Sequence, residues 1–345
     1  MSTPGPQSVA AAPNCVRNCA LRPRARRCVL AAVIVLSAAL QFPTKSRAVE
    51  FHGTVKFIVN FPAGSGTADK IARMMSNWLA HKRPQPVIVE NQPGMTGNLG
   101  AESVFAAAPD GRTLLVTPPG PLTVAPLLRK IAFDPRQFAP VTILVTTPTV
   151  LVVRPNLPAQ NLAQLIDYAR AHPGSIKAAN QGTGSTSHLT AEWLRVAANI
   201  DIVHVPFRGS VAALQGLADG RVDLMLDNLG SSRGPIANGQ VKVLAVASAQ
   251  PSAALPNVPL MADQLPGFVS ATWVAVMAPP QTPQEITGKL SGDFAEGLAQ
   301  PEIAVQIRQN GCEPVGMTPD ATAHFVEAET DKWTRVVNMK GFRTD

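Results

Sequence analysis

The sequence predicts an α/β protein of two doubly wound lobes, and three observations predict it. Strand and helix signals alternate along most of the chain. Two long apolar, β-branched runs, Val141–Arg154 and Ala271–Ala278, interrupt that alternation. About 297 residues follow an N-terminal export signal, too many for one ordinary core. Alternation is the grammar of a parallel sheet with right-handed crossovers, and two interlobe passages imply a hinge with a cleft between the lobes.

Residues 1–48 stand apart from the fold. They carry Arg17, Arg22, Arg24, Arg26 and Arg27 and no acid, then an apolar run from Cys28 to Leu40, then Ser46-Arg47-Ala48. A basic start, a short apolar stretch and small residues at −3 and −1 mark a secretory signal, with cleavage expected after Ala48. The apolar run is roughly 13 residues, short of the roughly 20 that span a bilayer, which disfavours a membrane anchor. Arg26-Arg27 before Cys28-Val29-Leu30 loosely resembles a twin-arginine signal, so general secretory and twin-arginine export both stay open. Cys28 begins the apolar run, the wrong place for a lipoprotein cysteine.

Removing the signal changes the electrostatics. The whole chain has a net charge of +7, but residues 1–48 hold seven Lys and Arg with no Asp or Glu. The remainder has 23 basic and 23 acidic residues, so the high pI is a property of the signal and argues for no nucleic acid or anionic membrane partner. Cys15, Cys19 and Cys28 leave with it, so Cys312 can form no intrachain disulfide and reads as a small buried apolar residue.

The elements follow in order. Val55–Val59 is a short β-rich run stopped by Phe61-Pro62-Ala63-Gly64. A helix follows, with apolar residues at Ile71, Met74, Met75, Trp78 and Leu79 and Asp69 as its expected N-cap. Strand Val87–Val89, a helix after Gly97-Asn98-Leu99-Gly100 and strand Thr113–Val116 complete the first series. Val141–Arg154 then crosses to the other lobe. The alternation restarts with a helix at Leu162, Leu165, Ile166 and Ala169. Strand Ile176–Ala179, helix Leu189–Ala198, strand Ile202–Val205 and helix Val211–Ala218 follow, the last closed by Gly220. Strands Val222–Leu226 and Val241–Ala247 come next, and Ala271–Ala278 returns the chain to the first lobe. Two helices, about Pro283–Ala299 and Pro319–Met339, end the sequence. The expected lobes are 49–150 with 276–345, and 151–275.

Two glycine-rich turns lie between a strand and a helix: Phe61–Asp69 and Asn180–His188. Glycine lets backbone N–H groups converge on one spot, and the following helix start adds partial positive charge. Such turns bind an anion without Lys or Arg, and one per lobe would make a clamp across the cleft. They read equally as tight connectors whose Ser and Thr only cap. His188 is either a ligand donor or a helix-start residue bonding its own turn. Arg208 either meets a second carboxylate or is solvated. Asp223 and Asp227 read a ligand ammonium or cap the backbone. Other motifs fail: Gly64…Asp69-Lys70-Ile71 lacks the rest of a P-loop, and neither turn has the third glycine of a dinucleotide fingerprint. No Ser is flanked by Gly at −2 and +2, and the six His are scattered, so no nucleophile elbow or metal motif is present. The sequence therefore predicts no enzyme, no metal and no cofactor.

At these residues the chain resembles the Bug family, periplasmic receptors of tripartite tricarboxylate transporters, over about residues 53–340. The matching segments include Phe61–Arg73, Val89–Gly94 with Gly97–Glu102, Pro109-Asp110-Gly111, Gly182–Leu189 and Val205–Ser210. Ala213-Leu214 with Gly220–Asp223, Leu255–Pro259 and Trp273…Ala278-Pro279 complete the series. The resemblance implies the type II periplasmic-binding fold, two lobes joined by two strands, with a small carboxylate held by N–H groups, hydroxyls and waters. Carried over by position, it implies ligand contacts at Gly64, Ser65, Gly66, Thr67 and Asp69, and at Gly182, Thr183, Ser185, Thr186 and His188. Thr117 and Asn228 are expected along the side of the cleft. The first turn departs from the family pattern by one extra residue, Asn60 stands where proline is frequent, and Phe207-Arg208 replaces Tyr-Lys. The expectation is a monomeric periplasmic receptor that closes on a small carboxylate and hands it to membrane transporter subunits. The alternatives are a receptor signalling to a membrane sensor and an enzyme acting on a carboxylate in the same cleft.

Overall fold

The computed structural model describes residues 53–343 except 65 and 253. The export signal, its three cysteines and the contact expected of Ser65 lie outside the described residues.

The first half is built on β1 (Val55–Val59), which pairs in parallel with β2 (Val87–Asn91) and β3 (Thr113–Thr117). Every residue of β1 but Lys56 is buried, as a central strand covered on both faces requires. The helix α1 (Thr67–Lys82) lays Ile71, Met75 and Leu79 on this sheet, and α2 (Asn98–Phe105) contributes Ala101 and Val104 to its other face. The second half repeats the plan. Its β5 (Ile176–Asn180) lies between β6 (Ile202–Pro206) and β7 (Leu224–Asn228), parallel to both. Around it stand α4 (Leu162–Ala171), α5 (Thr186–Ala198), α6 (Ser210–Ala218) and α7 (Leu229–Ala237), while a single turn, α3 (Ala125–Leu128), precedes them.

One strand serves both halves. β4 (Ala139–Val153) pairs along Ala139–Pro148 with β9 (Ala271–Ala278), and along Thr149–Val153 with β7 and β8 (Lys242–Val246), all antiparallel. The result is one curled mixed sheet in the order β2-β1-β3-β9-β4-β7-β5-β6. Pro148 sits where β4 changes partners, a place where the missing N–H costs no ladder bond. The expected crossing at Val141–Arg154 is thus β4. The expected return at Ala271–Ala278 is β9: the Ser270 N–H still donates to Ala247 O and its carbonyl accepts from Thr149 N, and from Ala271 the chain pairs with the first-half stretch of β4, ahead of the lobe boundary expected at 276.

Three expectations are corrected. Asp69 does not cap α1, because the helix starts at Thr67 behind Gly66, and the Asp69 carboxylate turns back to the Gly64 N–H at 2.9 Å. The chain ends in three helices, α8 (Gln284–Leu298), α9 (Pro301–Gln309) and α10 (Pro319–Val337), with a two-residue strand β10 (Glu313–Pro314) between the last two. α7 was also unforeseen, since Gly230, Gly234 and Pro235 weaken its helix signal, and Asn228 starts it by accepting from the Ser231 N–H.

Apolar clusters fill each half, Phe57, Met75 and Phe294 in the first and Leu165, Leu189 and Phe268 in the second. α10 belongs to both: Phe325 packs on the first half and Trp333 in the second. Cys312 is a buried free thiol, pushed up to about 11 by burial. No described helix is long and apolar enough to cross a membrane.

Candidate functional site

β1 runs in the direction of β4, while β5, β6 and β7 run against it, so the two sets of strands end facing each other at the junction of the halves and the helices that follow them begin there. A cavity of about 50 Å³ lies at this junction. Its wall takes Gly66, Thr67 and Ala68 from the start of α1, and Thr186 and Ser187 from the start of α5. Ser210, the first residue of α6, and Asn228, the cap of α7, complete the ring. Four helix N-termini therefore converge on one cavity, each carrying N–H groups without intrahelical partners and partial positive charge. No Lys, Arg or His lines it. Trp273 of β9 and Phe61 supply apolar surface.

The two glycine-rich turns hold the helix starts. In the second, four N–H groups are used internally. Gln181 N donates to Ser187 Oγ (2.9 Å), Gly182 N to Asn180 Oδ1 (3.0 Å), Gly184 N to His188 Nδ1 (3.2 Å) and Ser185 N to Gly182 O (3.0 Å). Ser185 Oγ caps α5 by accepting from His188 N, and the buried His188 ring stands edge-on to His204. In the first turn Gly64 N donates to Asp69, and Gly66 N to Gly64 O. The Asp69 carboxylate also takes Arg73 and Asn91. Burial pushes that carboxyl up, but these donors and the Arg73 charge outweigh it and hold it below its ordinary value. Gly66 has φ 104°, and a Cβ there would sit 3.1 Å from Ser231 Oγ, so the backbone needs glycine on both counts.

Of the expected contacts, Gly66, Thr67, Thr186 and Asn228 line the cavity. Gly64, Asp69, Gly182, Ser185 and His188 stand behind it as supports of the turns. Thr117, fully buried, accepts from Asn60 Nδ2 at 2.9 Å and donates to Pro118 O. Thr183 is exposed, and its carbonyl accepts from Thr96 Oγ1 at 3.2 Å, a contact between the two halves. A second such contact runs from Thr67 Oγ1 to Asn228 Oδ1 at 2.6 Å. Sequence reasoning missed Gln181, Ser187 and Ser210 as wall residues, while Asp227, weighed there as a reader of a ligand ammonium or a backbone cap, also lines the cavity. The signal for Ser210 was available, because it follows Gly209 at a strand-to-helix junction like the other two.

Asp227 is buried, and burial pushes its carboxyl up against the opposing hydrogen bonds of Ser232, Ser210, Asn228 and Gln181. Asp223, by contrast, pairs with Arg154 and accepts from Lys177 N away from the cavity. Arg208 is exposed. Among the described residues no group of His, Cys, Asp and Glu is arranged to hold a metal.

A two-lobed α/β sheet with a cavity between strand ends, ringed by helix starts, defines a solute-binding protein of the periplasmic type. More narrowly, the chain belongs to the receptor family of the tripartite tricarboxylate transporters (TctC), whose pattern matches residues 71–342. Similar solved structures include the following three. Rpa4515 of Rhodopseudomonas palustris, solved with adipate, is 33% identical with a TM-score of 0.79, covering 86% of this chain and 97% of that one. MatC of the same organism, solved with bound malate, is 32% identical with a TM-score of 0.78, covering 86% and 100%. The periplasmic binding protein BugD is 29% identical with a TM-score of 0.80, covering 86% and 100%.

Proposed function

We propose that this protein is an exported, monomeric receptor that captures a small carboxylate between its halves and delivers it to membrane subunits of a tripartite transporter, without chemical turnover. The observation that carries the reading is the ring of four helix N-termini around a cavity with no cationic side chain. Such a ring attracts one or two negative charges while remaining neutral enough to release them. The cavity's volume corresponds to about four water positions, which favours a short acid. The malate and adipate of two relatives belong to the same chemical class. Closure would bring residues 49–150 with 271–345 against residues 151–270, with β4 and the Ser270 passage as the hinge.

A thermal-shift screen of organic acids, sugars and amines tests it. Ligand binding to the folded state raises the melting temperature by linkage. One or more short carboxylates should raise it by several degrees, with no product detectable on prolonged incubation. Stabilisation by a sugar or an amine alone, or turnover by the pure protein, would sink the reading.

A further inference from the structure

One carboxyl organises the second-half wall of the cavity. Asp227, 1% exposed, accepts from Gln181 Nε2 (2.7 Å), Ser210 Oγ (3.0 Å) and Asn228 Nδ2 (3.2 Å) on Oδ1, and from Ser232 Oγ (2.8 Å) on Oδ2. All four partners are neutral donors. A side-chain amide has a donor end and an acceptor end on the same carbon, and fixing one fixes the other. By taking the NH₂ ends of Gln181 and Asn228, Asp227 leaves only their oxygens for other partners.

The Asn228 oxygen is used, accepting from Thr67 Oγ1 and Ser231 N. Gln181 Oε1 has no partner among the described residues, and Gln181 lines the cavity. We infer that this wall is the seat of a hydrogen-bond donor, so that the ligand is a carboxylate that also bears a hydroxyl or an ammonium group. Gln181 makes the contact and Asp227 is the positioning residue behind it. The helix starts around the cavity offer N–H donors to the carboxylate, and Gln181 Oε1 is an acceptor set among them. A hydroxy or amino acid satisfies both the donors and this acceptor. A plain dicarboxylate leaves Gln181 Oε1 without a donor.

This inference rests on the carboxylate reading, and the experiment separates the two. Titration calorimetry would compare succinate with malate and aspartate, four-carbon diacids differing only at one carbon. The wild-type protein should bind malate or aspartate about tenfold more tightly than succinate, the worth of roughly one hydrogen bond. In Asp227→Asn the carboxylate that fixes the Gln181 amide gives way to an amide with a donor end of its own, so Gln181 is free to turn and that ratio should fall toward one. Gln181→Met keeps length and shape and removes the acceptor, so it should erase the ratio; it also removes one of four donors to Asp227, so the unfolding midpoint should fall modestly while the fold is kept. It decides the matter if Asp227→Asn does not fold. Succinate binding as tightly as malate and aspartate, or a ratio that survives Gln181→Met, overturns the inference and leaves the carboxylate reading standing. If no carboxylate binds at all, the underlying reading fails first.

Discussion

Thr96 shows how a single residue can report on the cleft. It and Met95 hold φ of 55° and 48°, the left-handed region that a β-branched residue adopts only under constraint. Each such residue costs about 1–3 kcal/mol, and such residues persist where the surroundings over-determine them. Here the return is the Thr96 hydroxyl bonding Thr183 O across the cleft. Thr96→Gly would relieve the backbone and remove the bond. We expect ligand affinity to fall about three- to tenfold, through faster dissociation, with no loss of ligand-free stability. Calorimetry and urea unfolding would check this, and an unchanged affinity would mean the contact is incidental. At this scale the sequence was half legible. The glycines and hydroxyls marked the right turns, because a turn needs those residue types whatever it does. Which N–H groups the turns consume internally was not legible, since Asp69 and His188 reach back into their own loops only in three dimensions. Gln181 and Asp227 are separated by 46 positions, and neither residue alone announces the other.

Among elements, the strands were the easiest to read, because buried parallel strands are continuous apolar runs bounded by turn residues. The helices that escaped were those whose stability is tertiary. α7 contains Gly230 because no larger residue fits: a Cβ there would lie 2.6 Å from Thr67 Oγ1 and 3.0 Å from Asn310 O. That contact sets the spacing between α7 of the second half and the first half. In an exposed helix Gly→Ala would stabilise, but here overpacking should win by about 1–2 kcal/mol net. Chemical denaturation of Gly230→Ala should show that loss. A variant as stable as wild type would show that α7 and its neighbours shift freely.

For the whole molecule, the two halves are tied together at the end of the chain as well as at β4. Beyond α10, the tail meets α5: Arg343 N donates to Glu192 Oε1 at 2.8 Å, and Arg195 bonds both Glu192 and Gly341 O. His204 Nε2 stands 2.9 Å from Glu192 Oε2. Burial alone would raise this carboxyl, but the bonds from His204, Arg195 and the Arg343 N–H outweigh it and hold it at about 2 against an ordinary 4.5. A depressed carboxyl contributes stability above its unfolded value that is lost as pH falls toward its folded one. Unfolding free energy should therefore decline between about pH 4.5 and pH 2. Glu192→Gln should cost about 3 kcal/mol at neutral pH and flatten that decline. Urea titrations at neutral pH and near pH 3 would measure both, and an equally steep decline in the variant would assign the acid response elsewhere.

The passage of β4 through both halves also has a kinetic consequence. β3 cannot complete its pairing until β9 arrives, because Leu115, Val116 and Thr117 pair with Met277, Val276 and Ala275. During synthesis β3 must wait for about 160 further residues, and such non-local pairing makes folding slow. A first half that cannot close until the second has been made keeps the edge of β3 open throughout that synthesis.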